Sequence, residues 1–182
     1  MKKAICVISI LCSALFSIYY MHFGGLFGND SALSTVGLEH PILFSIWGVL
    51  TLFALSINII YGFIKTKYKL CCLLLIISAI GMLLTLTCDF DYDIKAQYFA
   101  HCIGSIAFSS VTGITVFLLF LLRKKYIRAT VCAIVLIADL VLLLIFKETA
   151  LIEIVPIFTG YALLLSLNLE KEMTEIEANR QA

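Results

Sequence analysis

Residues 65–93 read KTKYKLCCLLLIISAIGMLLTLTCDFDYD: a basic stretch (Lys65, Lys67, Lys69), an apolar run over 70–88, and an acidic stretch (Asp89, Asp91, Asp93). A helix needs about 20 mostly apolar residues to cross a bilayer, and this run comes close. Charge of opposite sign bounds its two ends. The same alternation continues along the chain. Lys2 and Lys3 precede an apolar run, and a gap with Asp30 and Glu39 follows it. After the aspartates come a further run, the basic group Arg123, Lys124, Lys125 and Arg128, another run, and then Glu148 and Glu153.

Composition agrees with repeated membrane crossing. The 182 residues are 62% hydrophobic and 14% charged, and mean hydropathy is +1.08. A soluble domain carries roughly 25% charged residues, so a soluble chain this apolar cannot cover its own surface. Six spans are predicted, at about 4–22, 41–63, 70–88, 98–122, 127–146 and 150–169. A transmembrane barrel would show segments of about 10 residues with alternating polarity instead. The expectation is an all-α polytopic membrane protein, a six-transmembrane-helix bundle forming a single domain over 1–182.

Lys and Arg concentrate on the cytoplasmic side of membrane proteins. With the N-terminus inside, eleven of the 13 Lys/Arg lie on the inner side with four acidic residues, a formal +7. Lys95 and Lys147 lie outside with seven acidic residues, a formal −5, and Asp139 remains within the membrane. Both termini are therefore expected to be cytoplasmic, in a cell membrane of bacterial type. Residues 1–20 also resemble a signal peptide, but no clear small-x-small cleavage site follows, and the first helix is read as retained. Its removal would leave five helices in the same orientation. The inner links, about 64–69 and 123–126, are short and make antiparallel hairpins. The longest gap, 23–40, holds Gly24, Gly25, Gly28, Asn29, Asp30, Ser31, Ser34 and Gly37; its apolar residues place it on the bilayer surface or in the mouth of the bundle.

Chemistry-bearing residues gather at the predicted outer level. The ligand-binding candidates are His40, Glu39, Asp89, Asp91 and His101. Imidazole and carboxylate groups bind zinc or a similar divalent metal, and the candidate ligands are His22, His40 and His101. The same groups serve as general acid and base, with His101, Asp91 and Ser105 as catalytic candidates. The competing reading is an interface of ordinary histidines and solvated acids. Along the fourth span His101, Ser105, Ser109 and Thr112 form one stripe. The second span carries His40, Phe44, Trp47, Thr51, Leu55, Asn58 and Gly62, and the third Ser78, Gly81, Thr85 and Cys88. Small and hydroxyl residues let helices approach and bond in a membrane, so these three spans are expected to pack along these faces.

Asp139 is the one acid deep in an apolar run. A charged carboxylate there costs at least about 2.5–3.5 kcal/mol, so it should face the bundle, be protonated or be paired. Cys88 and Cys102, at facing ends of adjacent spans, are candidates for a disulfide; the chain holds no CxxC pair. The basic cluster at 123–128 suits anionic membrane lipids. No phosphate loop or dinucleotide fingerprint is present, and nothing suits nucleic acid. A protein partner or homo-oligomer is left open.

Ser34-Thr35-Val36-Gly37 followed by Pro41 resembles the Ser-x-Leu-Gly…Pro element of the bacterial proteins grouped as domain of unknown function 998. Cys88-Asp89-Phe90-Asp91 and then His101-Cys102-Ile103-Gly104 resemble that family's Phe-Pro-x-Asp…His-Gly element, and the six-span layout is similar to that of DRAM-like membrane proteins. The likeness covers roughly 25–120. The chain lacks the proline before the aspartate and has Cys102 where glycine is usual. The resemblance implies an integral membrane protein and points to Asp91 and His101. Three functions are carried forward: an outward-facing polar pocket for a lipid headgroup or small ligand; a membrane-embedded hydrolase using the outer His and Asp residues, with or without a metal; and a transporter or accessory subunit relying on Asp139.

Overall fold

The structure is a computed structural model. It describes the backbone of residues 2–25, 32–64, 66–146 and 149–181, and side chains within 3–25, 32–64, 66–145 and 149–169. Asp30, Lys65, Lys147, Glu148 and the side chains of the charged tail from Glu170 lie outside the described residues.

In hydrocarbon every backbone N–H and C=O must be satisfied within the chain, which leaves a long apolar segment little choice but helix. The described elements are α1 (Lys2–Met21), α2 (Leu33–Glu39), α3 (Pro41–Phe63), α4 (Leu74–Thr87, entered through a 3-10 turn at Lys69–Leu73), α5 (Lys95–Leu122), α6 (Tyr126–Phe146) and α7 (Ala150–Gln181). All but the short α2 are long and apolar enough to cross a membrane, α4 together with its 3-10 turn. The chain is a multi-pass membrane protein. Pro41 begins α3, where its fixed φ suits the first turn and its missing N–H costs nothing. Pro156 lies inside α7 and removes the donor that the Ile152 carbonyl would have used. The α5–α6 link is tight: Lys124 takes a left-handed φ of 59°, and Lys125 N–H returns to the Phe120 carbonyl at 2.9 Å.

Polar side chains stitch α1, α3 and α7 together. Ser13 Oγ lies 2.6 Å from Tyr161 Oη and 3.4 Å from Thr51 Oγ1. Trp47 Nε1 donates to Ser17 Oγ at 3.1 Å. Asn58 Nδ2 donates to the carbonyls of Cys6 and Ala54 at 3.1 and 2.8 Å, and its Oδ1 accepts from Asn168 Nδ2 at 2.8 Å. In a dry interior such amides need partners, and neighbouring helices supply them.

A second unit is α4 against α5. Gly81 and Gly104 face each other so closely that a Cβ on Gly104 would sit 2.6 Å from the Gly81 carbonyl oxygen. Ser78 and Thr112 hydroxyls bond across the same seam. The expected sharing of small-residue faces thus holds between α4 and α5. The α3 stripe is divided instead. Gly48 faces Met82 and Leu86 of α4, and Gly62 faces Leu119 of α5. Trp47, Thr51 and Asn58 turn to α1 and α7, because Ser9, Ser13 and Ser17 give α1 a polar stripe of its own. Helix α6 is peripheral: 11% of its apolar span is buried, against 44% for α3 and for α7.

Part of the 23–40 gap folds into one mouth of this bundle. Ala32, Leu33 and Val36 of the segment are buried. Tyr20 Oη, near the end of α1, donates to the Leu33 carbonyl at 2.8 Å. This short helix sets the geometry of the site.

Candidate functional site

His101 lies two turns into α5 and is 2% exposed. Its Nδ1 is 2.8 Å from the carbonyl oxygen of Cys88, just past the end of α4. A carbonyl only accepts, so Nδ1 carries a proton. Nε2 is 2.8 Å from Ser34 Oγ on the first turn of α2. Phe44 stacks on the imidazole (centroids 6.0 Å, 19°) and Phe90 tilts against it (5.1 Å, 57°). The ring is therefore fixed in position, orientation and tautomer.

Ser34 has a second neighbour. Its Oγ is 3.3 Å from Glu153 Oε1, and Glu153 Oε2 accepts the Leu33 N–H at 2.5 Å. Glu153 lies in the first turn of α7, so α2, α4, α5 and α7 meet here. One hydroxyl proton cannot serve both His101 and Glu153. For both contacts to be hydrogen bonds, a further proton must reside on one of them. Either the imidazole is protonated and Ser34 donates to Glu153, or the carboxyl is protonated and Ser34 donates to His101. Both arrangements hold the same number of protons.

This trio lines a cavity of about 360 Å³ bounded mainly by α5, α6 and α7. Most of its wall is apolar or aromatic, including Phe44, Trp47, Phe90, Phe108 and Leu140. Ser105, Ser109 and Asp139 also line it. No Lys or Arg does. No protein-family model, curated protein or solved structure matches this chain.

Of the other sequence candidates, Ser105 and Asp139 share the cavity lining, and the rest lie apart from this trio. His40 is half-buried and packs on Phe23 (centroids 4.7 Å), and His22 is exposed beside the same ring. Glu39 is exposed at the end of α2. Asp91 Oδ1 accepts the Asp93 N–H at 2.9 Å and so closes a local turn, while the Asp89 N–H donates to Gln97 Oε1 at 3.3 Å. None of the hydrogen bonds of His101 goes to His40 or Asp91. Among the described residues no three His, Cys, Asp or Glu side chains gather in a way that could hold a metal. Cys88 and Cys102 are not joined in a disulfide.

Two members of the site were not among the sequence candidates. Ser34 stood among the small and polar residues of the 23–40 gap and in the motif that carries the family resemblance, and Glu153 was counted with the outer charges. The signal for Glu153 was present: it sits between Ile152 and Ile154 inside an apolar run, as Asp139 does in its own.

Proposed function

We propose that this protein, in a cytoplasmic membrane with both termini inside, binds an amphiphile whose polar head is neutral or cationic. The observation that carries the reading is the lining of the 360 Å³ cavity: apolar walls, Asp139 and Glu153, and no basic side chain among the described residues. Its size falls in the range of small-molecule sites, about 300–1,000 Å³. Burying an anion beside two acids, with no Lys or Arg among the described lining residues to pair it, is costly, whereas an ammonium group would be paired there. A phosphate headgroup is therefore the wrong occupant. Membership of the domain of unknown function 998 group is part of this reading and rests on the likeness of the two short sequence elements alone; in this chain those elements meet where Ser34 bonds to His101, whose other nitrogen bonds to the Cys88 carbonyl.

Tetraphenylphosphonium and tetraphenylborate share shape and apolar surface but differ in charge. Purified protein in detergent is expected to bind the phosphonium at least about tenfold more tightly, a difference of about 1.4 kcal/mol. Asp139→Asn should remove most of that preference. Equal binding of the two ions, or tighter binding of the borate, sinks the reading.

Orientation is tested separately by labelling intact cells with an impermeant thiol reagent, in a background with Cys88 and Cys102 replaced by alanine. Asp93→Cys is expected to react, and Lys67→Cys and Lys125→Cys to stay unlabelled until the cells are opened. The reverse pattern would place the termini outside.

A further inference from the structure

We propose that Ser34 is a nucleophile and His101 its general base, so that the cavity carries out acyl transfer on an ester-containing amphiphile. The proposal uses the same cavity as the binding reading but does not depend on the charge of the occupant.

Three observations support it. First, the pair has the required geometry. An activated serine needs a base within hydrogen-bond reach, and that base needs a third group to orient it. Ser34 Oγ is 2.8 Å from Nε2, and the Cys88 carbonyl holds Nδ1–H at 2.8 Å. The unprotonated ring nitrogen therefore faces the hydroxyl whenever the imidazole is neutral.

Second, the shared proton has a place to rest that frees the base. When it sits on Glu153, His101 is neutral and accepts from Ser34. No carboxylate charge then lies beside the oxygen on which negative charge develops. The Leu33 N–H still fixes the Glu153 carboxyl, and Tyr20 still fixes Leu33. The nucleophile is thus held on a braced segment.

Third, Ser34 and His101 both line the cavity, whose apolar wall suits an acyl chain. Ser105, one helical turn below His101, lines it as well, and its hydroxyl has no hydrogen-bond partner among the described residues. It is a donor available to an oxyanion.

The step balances with groups on the page and one co-reactant, water or a second alcohol. Ser34 Oγ forms a bond to the ester carbonyl carbon as its proton passes to His101 Nε2. The tetrahedral intermediate collapses, the bond to the alkoxy oxygen breaks, and Nε2–H protonates the departing alcohol. The acyl group is then on Ser34. Water or the second alcohol, deprotonated by Nε2, attacks the same carbonyl carbon. The proton returns to Ser34 Oγ as the acyl–oxygen bond breaks.

The experiment uses purified full-length protein and an alkyl fluorophosphonate, which transfers its phosphonyl group to activated serines with loss of fluoride. Peptide mass spectrometry is expected to place the adduct on Ser34. His101→Gln is expected to slow labelling by about 100-fold or more, the usual contribution of a general base, and Ser34→Ala to abolish it. Thermal unfolding of each variant reports whether it is folded, and Ser105→Ala, which leaves nucleophile and base in place, should be labelled at Ser34 more slowly. No adduct at Ser34 in folded wild-type protein overturns the nucleophile, whatever the phosphonium ion does. So does undiminished labelling of folded His101→Gln. An adduct at Ser34 without phosphonium binding would defeat only the binding reading.

Discussion

Gly104→Ala is expected to lower the unfolding temperature, and Gly160→Ala to leave it unchanged or raise it. The two substitutions add the same methyl group to helices of the same bundle. On Gly104 the new Cβ would meet the Gly81 carbonyl oxygen at 2.6 Å and Thr85 N at 2.8 Å, both backbone atoms that cannot step aside. Helices α4 and α5 would have to separate along the seam that also carries the Ser78–Thr112 bond. Overpacking of this kind costs about 1–3 kcal/mol, or roughly 2–12 °C for a chain of this size. On Gly160 the nearest atom is Leu55 Cδ2 at 3.4 Å, the movable end of a side chain. Alanine there also gains up to about 1 kcal/mol of helix propensity over glycine. Thermal scans in one detergent decide the matter. Equal effects at the two positions would show that α4 and α5 do not touch through their backbones.

Glu153→Ala is expected to release α2 from the mouth of the bundle. The carboxyl accepts the Leu33 N–H and faces the Ser34 hydroxyl. Removing it leaves a buried backbone donor unmatched, at about 1–3 kcal/mol, and more if the hydroxyl also loses its partner. Leu33 and Val36 are buried by this docking, so the loss should appear as local opening. Hydrogen exchange over residues 33–39 is expected to quicken by roughly 10–100-fold, at about 1.4 kcal/mol per factor of ten. Glu153→Gln keeps an acceptor oxygen toward Leu33 and should stay within a few-fold of the wild type. Exchange that is unchanged in the alanine variant would mean that Tyr20 and the apolar contacts alone hold α2.

The six spans were legible in the sequence for a physical reason. A run of about 20 apolar residues bounded by charges cannot satisfy its backbone in a bilayer except as helix, so composition alone fixed the number and approximate limits of the long elements. Three candidates that line the cavity were also legible by type, Ser105 among them. Asp139 stood out as an acid in an apolar run, and His101 as an imidazole at a predicted helix mouth above a stripe of serines. Their grouping was not legible. His40, Asp91 and His101 share a predicted depth, yet His40 packs on Phe23 and Asp91 closes its own turn, while His101 turns inward to Ser34. Depth along the membrane normal follows from counting residues. Rotation about each helix axis does not, because spans apolar on nearly every side carry little periodic signal for the face that packs inward. Contacts between helices set those rotations: the Gly81–Gly104 approach, the Asn58–Asn168 bond, and the docking of α2 by Tyr20 and Glu153. The sequence by itself determined that the chain is a bundle of membrane-crossing helices. Only the tertiary structure, by fixing those rotations, brought Ser34, His101 and Glu153 to one wall of one cavity.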